Sequence, residues 1–333
     1  MRAEAKRFRP LSMAGPPRAM PIAEYFFNHM YTFFGLTRSA SSCTMGEKAR
    51  GATALYKILR KERLNDTTTL MEIHAPHVAN KALPGQFIIF RIDEAGERVP
   101  LTIADANRET GGVTIIFQKV GATTRLLDAL EVGDSLLDFV GPLGKPTQTE
   151  GIQRAAVLGG GLGVAIAYPQ AKALHQAGAK VDLFVGFRNR DLIILEKELR
   201  AACTELNIVT DDGSNGRKGF VTDALREKLE AGETYDAVIA IGPLPMMRAA
   251  ANLTRPYGIR TIVSMNSIMI DGTGMCGGCR LIVGGETKFA CVDGPDFDGH
   301  QVDFDSAMKR LNLYKAEEAQ ASEHVCRLTG GKR

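Results

Sequence analysis

From residue 56 onward the chain is a succession of short apolar runs separated by glycine- and proline-bearing turns. Residues 67–74 alternate polar and apolar side chains, the period-two pattern of a strand with one face buried. Residues 86–92, 113–120 and 135–140 are rich in Ile, Val and Phe. Turn pairs stand between these runs: Pro84-Gly85, Gly111-Gly112, Gly133-Asp134 and Gly141-Pro142. Strands at this spacing predict a small β-barrel or sandwich.

After Gly151 the rhythm becomes strand–helix–strand. Predicted strands at 154–158, 181–185, 207–210, 236–241 and 261–264 alternate with predicted helices that run to about 176, over 191–206 and over 222–231. That alternation predicts a doubly wound parallel α/β sheet. From Met265 the chain is Gly- and Cys-rich, and a polar helix is predicted over 306–321. The expected division is therefore a barrel at 56–150, an α/β domain at 151–264 and a C-terminal lobe at 265–333. Residues 1–55 differ in texture. They carry Arg2, Lys6, Arg7, Arg9 and Arg18, a Pro16-Pro17 pair and serines between 39 and 42. This composition predicts a disordered extension or a misplaced start, with Met45 as the true one, in preference to an organellar targeting segment.

Composition narrows the function classes. At 333 residues, about two domains are expected. Hydrophobic content of 44% and charged content of 24% are ordinary for a globular protein. A net charge of +3 without a Lys/Arg stripe argues against nucleic acid as a partner. No apolar run approaches the ~18 residues of a membrane span. Of six cysteines, Cys276, Cys279 and Cys291 fall close together, whereas Cys43, Cys203 and Cys326 are scattered. In a chain this large, such clustering favours metal in a reducing, cytoplasmic setting over a disulfide framework.

Two segments carry candidate chemistry. Gly159, Gly160, Gly161 and Gly163 follow a predicted strand and open a predicted helix. Glycines there let the backbone approach a pyrophosphate at the positive end of the helix; the bland alternative is a tight turn. Ile166 replaces the third glycine of the full fingerprint. The ribose-binding acid expected about 20 residues later is replaced by Arg188-Asn189-Arg190, so NAD and NADP both stay open. Gly242, Pro243 and Met246 lie at the carboxyl end of the fourth strand of this region, the edge where such sheets bind ligands. In the second segment Cys276, Cys279 and Cys291 form C-x2-C-x11-C. Asp271 precedes Cys276 by five residues, so D-x4-C-x2-C copies the plant-type [2Fe–2S] spacing with an oxygen donor in first place. Zinc bound by the three cysteines and His300 competes with this reading, and Cys203 or Cys326 as a fourth thiol is a weaker alternative.

Together these segments resemble the small-subunit family of NADH-dependent reduced ferredoxin:NADP oxidoreductases, also called sulfide dehydrogenase beta subunits, within the ferredoxin–NADP reductase superfamily. They are also similar to the electron-transfer subunits of dihydroorotate dehydrogenase. The resemblance covers residues 56–321 and implies an FAD-binding β-barrel followed by an NAD(P)-binding α/β domain and a [2Fe–2S] lobe. It assigns flavin binding to Arg98, Pro100, Leu101 and Thr102. Arg98 stands four residues before Thr102, where the superfamily places its arginine three before. It assigns the flavin diphosphate to Gly121, Thr123 and Thr124, the barrel-closing turn to 141–144, and nucleotide contacts to Asp211, Gly213, the 159–163 loop and the 242–247 turn. The Asp271, Cys276, Cys279 and Cys291 pattern points to the ferredoxin:NADP oxidoreductase branch, because the dihydroorotate-type subunit has a Cys in the Asp271 position. The implied partner is a larger flavoprotein or iron–sulfur subunit, forming a heterodimer, with ferredoxin reached through it. No protein side chain is expected to act as catalytic acid or base. The rivals are a dihydroorotate dehydrogenase electron-transfer subunit and, in another class, a zinc-stabilised nucleotide-binding module.

Overall fold

A computed structural model describes residues 56–328 of the chain. The expectations made for residues 1–55 lie outside the described residues.

Six strands form the first sheet: β1 (Ile58–Arg63), β2 (Thr68–His74), β3 (Phe87–Arg91), β4 (Val99–Asn107), β5 (Gly112–Gln118) and β6 (Asp138–Leu143), with α1 (Pro76–Ala79) and α2 (Ala122–Ala129) between strands. The spatial order is β1-β2-β5-β4-β3-β6, all antiparallel. An isolated bridge between Lys57 and Ser135 joins the two edges and closes the sheet into a barrel. Ile58 N–H donates to the Asp134 carbonyl at 2.8 Å, and Leu136 N–H to that of Tyr56 at 3.0 Å. Closure removes the open edges that an antiparallel sheet otherwise exposes. The interior holds Met71, Ile73, Ile88, Phe90, Ile115 and Phe117, the alternate positions of their strands.

The second sheet contains β7 (Arg154–Gly160), β8 (Lys180–Phe187), β9 (Glu205–Thr210), β10 (Ala237–Ile241), β11 (Arg260–Ser264) and β14 (Asp296–Asp298), preceded in the chain by a hairpin of β12 (Arg280–Val283) and β13 (Glu286–Phe289). Helices α3 (Gly163–Gln176), α4 (Glu196–Ala201), α5 (Val221–Glu230) and α6 (Leu244–Thr254) connect the parallel strands, and α7 (Phe304–Leu311) and α8 (Lys315–Leu328) follow. The order is β14-β11-β10-β7-β8-β9. The five core strands are parallel and only β14 runs against them. Both faces are covered. Val157, Leu183, Val185 and Ile239 pack in one cluster with α3, and Leu158, Phe184, Val238 and Ala240 in another with α5, α6 and α7. This two-sided burial explains why these strands read as continuous apolar runs rather than as alternations.

Three expectations are corrected. The helix expected at 191–206 is cut to α4. A 3-10 turn at Arg190–Leu192 and a left-handed Leu195 (φ 57°) precede it, and Glu205 and Leu206 pair with Asp182 and Leu183 as the start of β9. Strand pairing along β8 takes those residues from the helix. The helix expected at 306–321 is two helices. Asp303 caps α7 by accepting the Ser306 N–H at 3.0 Å, and α7 stops at Asn312 before α8 begins. The nucleotide sheet does not end at 264, since β14 from the C-terminal lobe pairs with Ile262–Ser264.

Phe184 on β8 is fully buried. Phe184→Ala is expected to cost about 3–5 kcal/mol of unfolding free energy through lost burial and the cavity left behind. Urea unfolding of wild type and variant at matched cofactor content measures it.

Candidate functional site

The carboxyl ends of β7 and β10 supply the two glycine turns. β7 ends in Gly160, and Gly161 (φ +57°) turns the chain into α3 while its N–H donates to the Gly186 carbonyl at 2.8 Å. A side chain on Gly163 would place Cβ 2.4 Å from the Ile241 carbonyl oxygen, and one on Gly160 would meet Met246 Sδ at 2.5 Å. A Cβ on Gly242 would meet Met246 Cε at 2.9 Å. The two turns are therefore locked into each other, and Gly159, against Val164, is required by the same packing. Gly161, by contrast, faces open space. Beside them, residues 188–190 and 211–214 are tied together at the ends of β8 and β9. Asp211 N–H donates to the Phe187 carbonyl at 3.0 Å, and Arg190 N–H to Ser214 Oγ at 2.7 Å. Ser214, through its hydroxyl and its amide, holds the Asp212 carboxyl below the ordinary carboxylate range. Gly213 sits at φ +78° in this turn, and the exposed Asp211 begins it just after β9, beside the arginines that follow β8.

On the barrel, Pro100, Leu101 and Thr102 lie half-buried on β4, paired with Ile89, Ile88 and Phe87 of β3. The Arg98 guanidinium is 3.7 Å from Asp138, which also accepts from Arg91 Nε at 2.7 Å. Arg98 Nε is buried without a hydrogen-bond partner, a donor left over for an anion. Gly121 precedes α2 with open space around it. Thr124 Oγ1 accepts the Gly121 N–H at 3.1 Å, and Thr123 Oγ1 donates to Glu97 at 2.8 Å. Arg91, Asp138 and Glu97 were not expected near this site. The Arg91–Asp138 pair is an opposite-charge pair across β3 and β6, visible only once the strand register is known.

The cysteine loop leans on the barrel. Gly272 has φ +75°, and a Cβ there would lie 2.6 Å from Ile89 Cδ1 and 2.8 Å from Leu143 Cδ1. The Asp271 carboxylate accepts N–H bonds from Thr273 at 2.9 Å and Cys276 at 2.8 Å. Burial pushes its pKa up, but these amide bonds outweigh burial and leave the carboxyl below its ordinary value. The Cys279 and Cys291 sulfurs are buried and 3.2 Å apart, while Cys276 is exposed on the same loop. Burial first, then Cys279 and the Asp271 charge, push the Cys291 thiol up to about 12. Among the described residues, no three or more His, Cys, Asp and Glu side chains already stand in a metal-ligating cluster. The donor set nonetheless fits iron. The Cys291 thiol, raised by burial, resists ionisation on its own, and a bound cation would supply the charge that makes it a thiolate. Asp271 spends one lone pair of each oxygen on the loop amides and keeps others for a metal. His300 does not belong to this site. Its Nε2 lies 3.1 Å from Thr254 Oγ1, beside Thr261 at the opposite end of β11 from Met265. Cys203 is buried near Asp182 and Glu205, with its thiol pushed up to about 11 by burial.

Two regions of the chain match known protein families. Residues 266–303 match the iron–sulfur cluster binding domain of dihydroorotate dehydrogenase B, and 157–252 match an oxidoreductase NAD-binding domain. The chain is 43% identical over 280 residues to the dihydroorotate dehydrogenase B (NAD(+)) electron transfer subunit homolog of Thermotoga maritima, covering 84% of this chain and 99% of the relative. The chain belongs to the dihydroorotate dehydrogenase B electron-transfer subunit family. It is 50% identical to an uncharacterized protein of Clostridium beijerinckii, over 81% of this chain and 94% of that one. A chain of the solved NADH-dependent reduced ferredoxin–NADP oxidoreductase, studied for flavin-based electron bifurcation, is similar with TM-score 0.78 and 42% identity, over 82% of this chain and 99% of that chain. At 20% identity and TM-score 0.52, the cytochrome b5 reductase domain of Ulva prolifera nitrate reductase shares the fold. Like its family, the protein is an NAD(P)H-dependent flavin oxidoreductase of the ferredoxin–NADP reductase type, an electron-transfer subunit with FAD, nicotinamide nucleotide and iron–sulfur cofactors.

Gly163→Ala is expected to destabilise the fold by about 1–3 kcal/mol, because its Cβ meets a backbone carbonyl that cannot swing away. Thermal unfolding of the variant beside Gly161→Ala, which meets open space and loses only the left-handed turn, separates collision from backbone strain.

Proposed function

We propose that this chain passes electrons between a nicotinamide nucleotide, FAD and a [2Fe–2S] cluster, as the small subunit of a heterodimer with a larger flavoprotein or iron–sulfur subunit through which ferredoxin is reached. The observation that carries this reading is the contact of Gly272 with Ile89 and Leu143. Ile89 pairs directly with Pro100, and Phe87 of the same strand pairs with Thr102. The cysteine loop thus packs on the strand that pairs with the segment we assign to the flavin. When bound, the cofactors would supply the redox chemistry, hydride exchange between nicotinamide and flavin and one-electron carriage by the cluster.

The residues bind and orient. Thr102 offers a hydroxyl to the flavin ring, flanked by Pro100 and Leu101. Arg98, with its unpartnered Nε, faces the flavin pyrophosphate. The start of α2 at Gly121, Thr123 and Thr124 receives the same charge at the positive end of a helix. The loop of Gly159, Gly160, Gly161 and Gly163 receives the nicotinamide dinucleotide's pyrophosphate, with Gly242, Pro243 and Met246 forming the opposite wall and Asp211 and Gly213 reaching its adenosine end. Asp271, Cys276, Cys279 and Cys291 ligate the iron, the carboxylate being a harder donor than the thiolate it replaces.

Support for a partner comes from the surface beside the cluster. Met275 is 84% exposed and Ile270 50% exposed, on either side of Asp271 and next to the exposed Cys276. An apolar rim around a redox centre suits a partner that excludes water from the transfer path. No helix among the described residues is long and apolar enough to cross a membrane. The complex is proposed to work in the cytoplasm, where free thiols persist.

The chain purified without air is expected to be yellow-brown, with flavin absorbance and about two irons per FAD. Stopped-flow reduction with NADH and NADPH in parallel then identifies the donor. A colourless, zinc-containing preparation would refute the reading. Asp271→Cys is expected to retain the cluster with an altered midpoint potential. An identical potential in an EPR-monitored redox titration would remove Asp271 from the ligand set.

A further inference from the structure

Cys276 and Cys279 are separated by Gly277 and Gly278, and the turn they form is held from outside the loop. Gly278 N–H donates to Cys276 Sγ at 3.4 Å, and the Gly278 carbonyl accepts from Arg310 Nη2 at 3.1 Å. Both backbone polar groups of the residue before Cys279 are thus engaged, one by sulfur and one by a guanidinium from a helix 32 residues further on.

That helix is fixed relative to the cluster segment. Phe304 and Ala307 of α7 are buried in the same core as Cys279, Leu281 and Cys291. Arg310 follows Ala307 by three residues, so it lies on the helix face that meets the loop. It is half-buried on the wall of a shallow crevice shared with Asn266, Ile270, Arg280 and Tyr314. Among the described residues its guanidinium bonds the loop carbonyl and pairs with no carboxylate. Its positive charge is therefore not cancelled by an ion pair and is directed at the peptide that carries Cys279.

We propose that Arg310 is a positioning residue for the iron–sulfur cluster: through the Gly278 carbonyl it sets the Cys276–Cys279 turn, and its fixed charge favours the reduced cluster. This rests on the reading of the loop as a [2Fe–2S] segment. Reduction adds one electron, delivered by the flavin, and so one negative charge. A fixed cation nearby stabilises the more negative state and raises the midpoint potential. A guanidinium serves better than an ammonium because its planar fork is held rigidly by the hydrogen bond to the loop.

The test is an EPR-monitored redox titration of the full chain, purified without air, as wild type, Arg310→Gln and Arg310→Lys. A dithionite-reduced EPR signal in the wild type establishes the cluster; its absence would sink the [2Fe–2S] reading itself. Given that signal, Arg310→Gln is expected to show about a tenfold lower ratio of reduced to oxidised cluster at a fixed ambient potential, about 59 mV for a one-electron couple. Arg310→Lys is expected to fall between Arg310→Gln and wild type. If Arg310→Gln fails to take up iron, the Lys variant decides: a lowered potential supports the assignment. A wild-type potential in every variant that holds a cluster would overturn it, since a residue that merely packs the helix would change stability and leave the potential alone.

Discussion

The arrangement of this molecule depends on one close approach. At Gly272 the cysteine loop lies so near the barrel that any side chain would collide with Ile89 and Leu143. The left-handed backbone of Gly272 and the absence of a Cβ permit the contact. Because Ile89 is also the β-partner of Pro100, the position of the loop is set by the same strand that pairs with the segment proposed to hold the flavin. Electron transfer between two groups needs them close and held at a constant distance. A barrel strand with a glycine packed on it provides both, more rigidly than two domains joined only by a linker.

The C-terminal segment is held at its other end as well. β14 returns to the edge of the nucleotide sheet, and Asp296 on it accepts a hydrogen bond from Thr147 Oγ1 at 2.5 Å, just beyond the barrel. Asp296 is half-buried with its Oδ1 out of solvent, and burial raises its pKa above the ordinary carboxylate value. Hydroxyls rather than a cation stand beside this carboxyl, so no opposite charge offsets the penalty that burial places on its charge. The chain thus leaves the nucleotide sheet after β11, touches the barrel at Gly272, and comes back to the sheet at β14. The iron–sulfur segment is an excursion between two anchored points, which is why its hairpin β12–β13 can be small.

Much of this was legible in the sequence, and the failures have physical causes. The parallel strands were readable because burial on both faces makes their apolar runs continuous, as in 181–185. The helix expected at 191–206 failed because Glu205 and Leu206 suit a helix locally but are claimed by pairing with β8. Strand register is a tertiary property that no local window contains. For the same reason the Arg91–Asp138 pair beside Arg98 could not be anticipated. The glycine loop shows a subtler limit. Its pattern read as room for a pyrophosphate, yet Gly159, Gly160 and Gly163 are demanded by contacts with Val164, Met246 and Ile241, and only Gly161 opens to solvent. The same residues that admit a ligand also lock two turns together, so the sequence signal reports both constraints at once.

Asp271 joins local folding to cofactor chemistry in a similar way. A thiolate in its place would be a poorer acceptor for the Thr273 and Cys276 amides, because sulfur forms longer and weaker hydrogen bonds than a carboxylate oxygen. The carboxylate can brace the loop through two amides and still present free lone pairs to a metal. The loop at 271–276 is therefore shaped before any iron arrives, whereas Cys279 and Cys291 are buried and the Cys291 thiol is pushed upward by that burial. Assembly on this view begins from an ordered, negatively charged oxygen donor beside an exposed thiol, Cys276, and ends with the two buried sulfurs. As the ligand proposed above, an aspartate in first position would change two things together: the electron density the cluster receives, and the degree to which its binding loop is prepared for it.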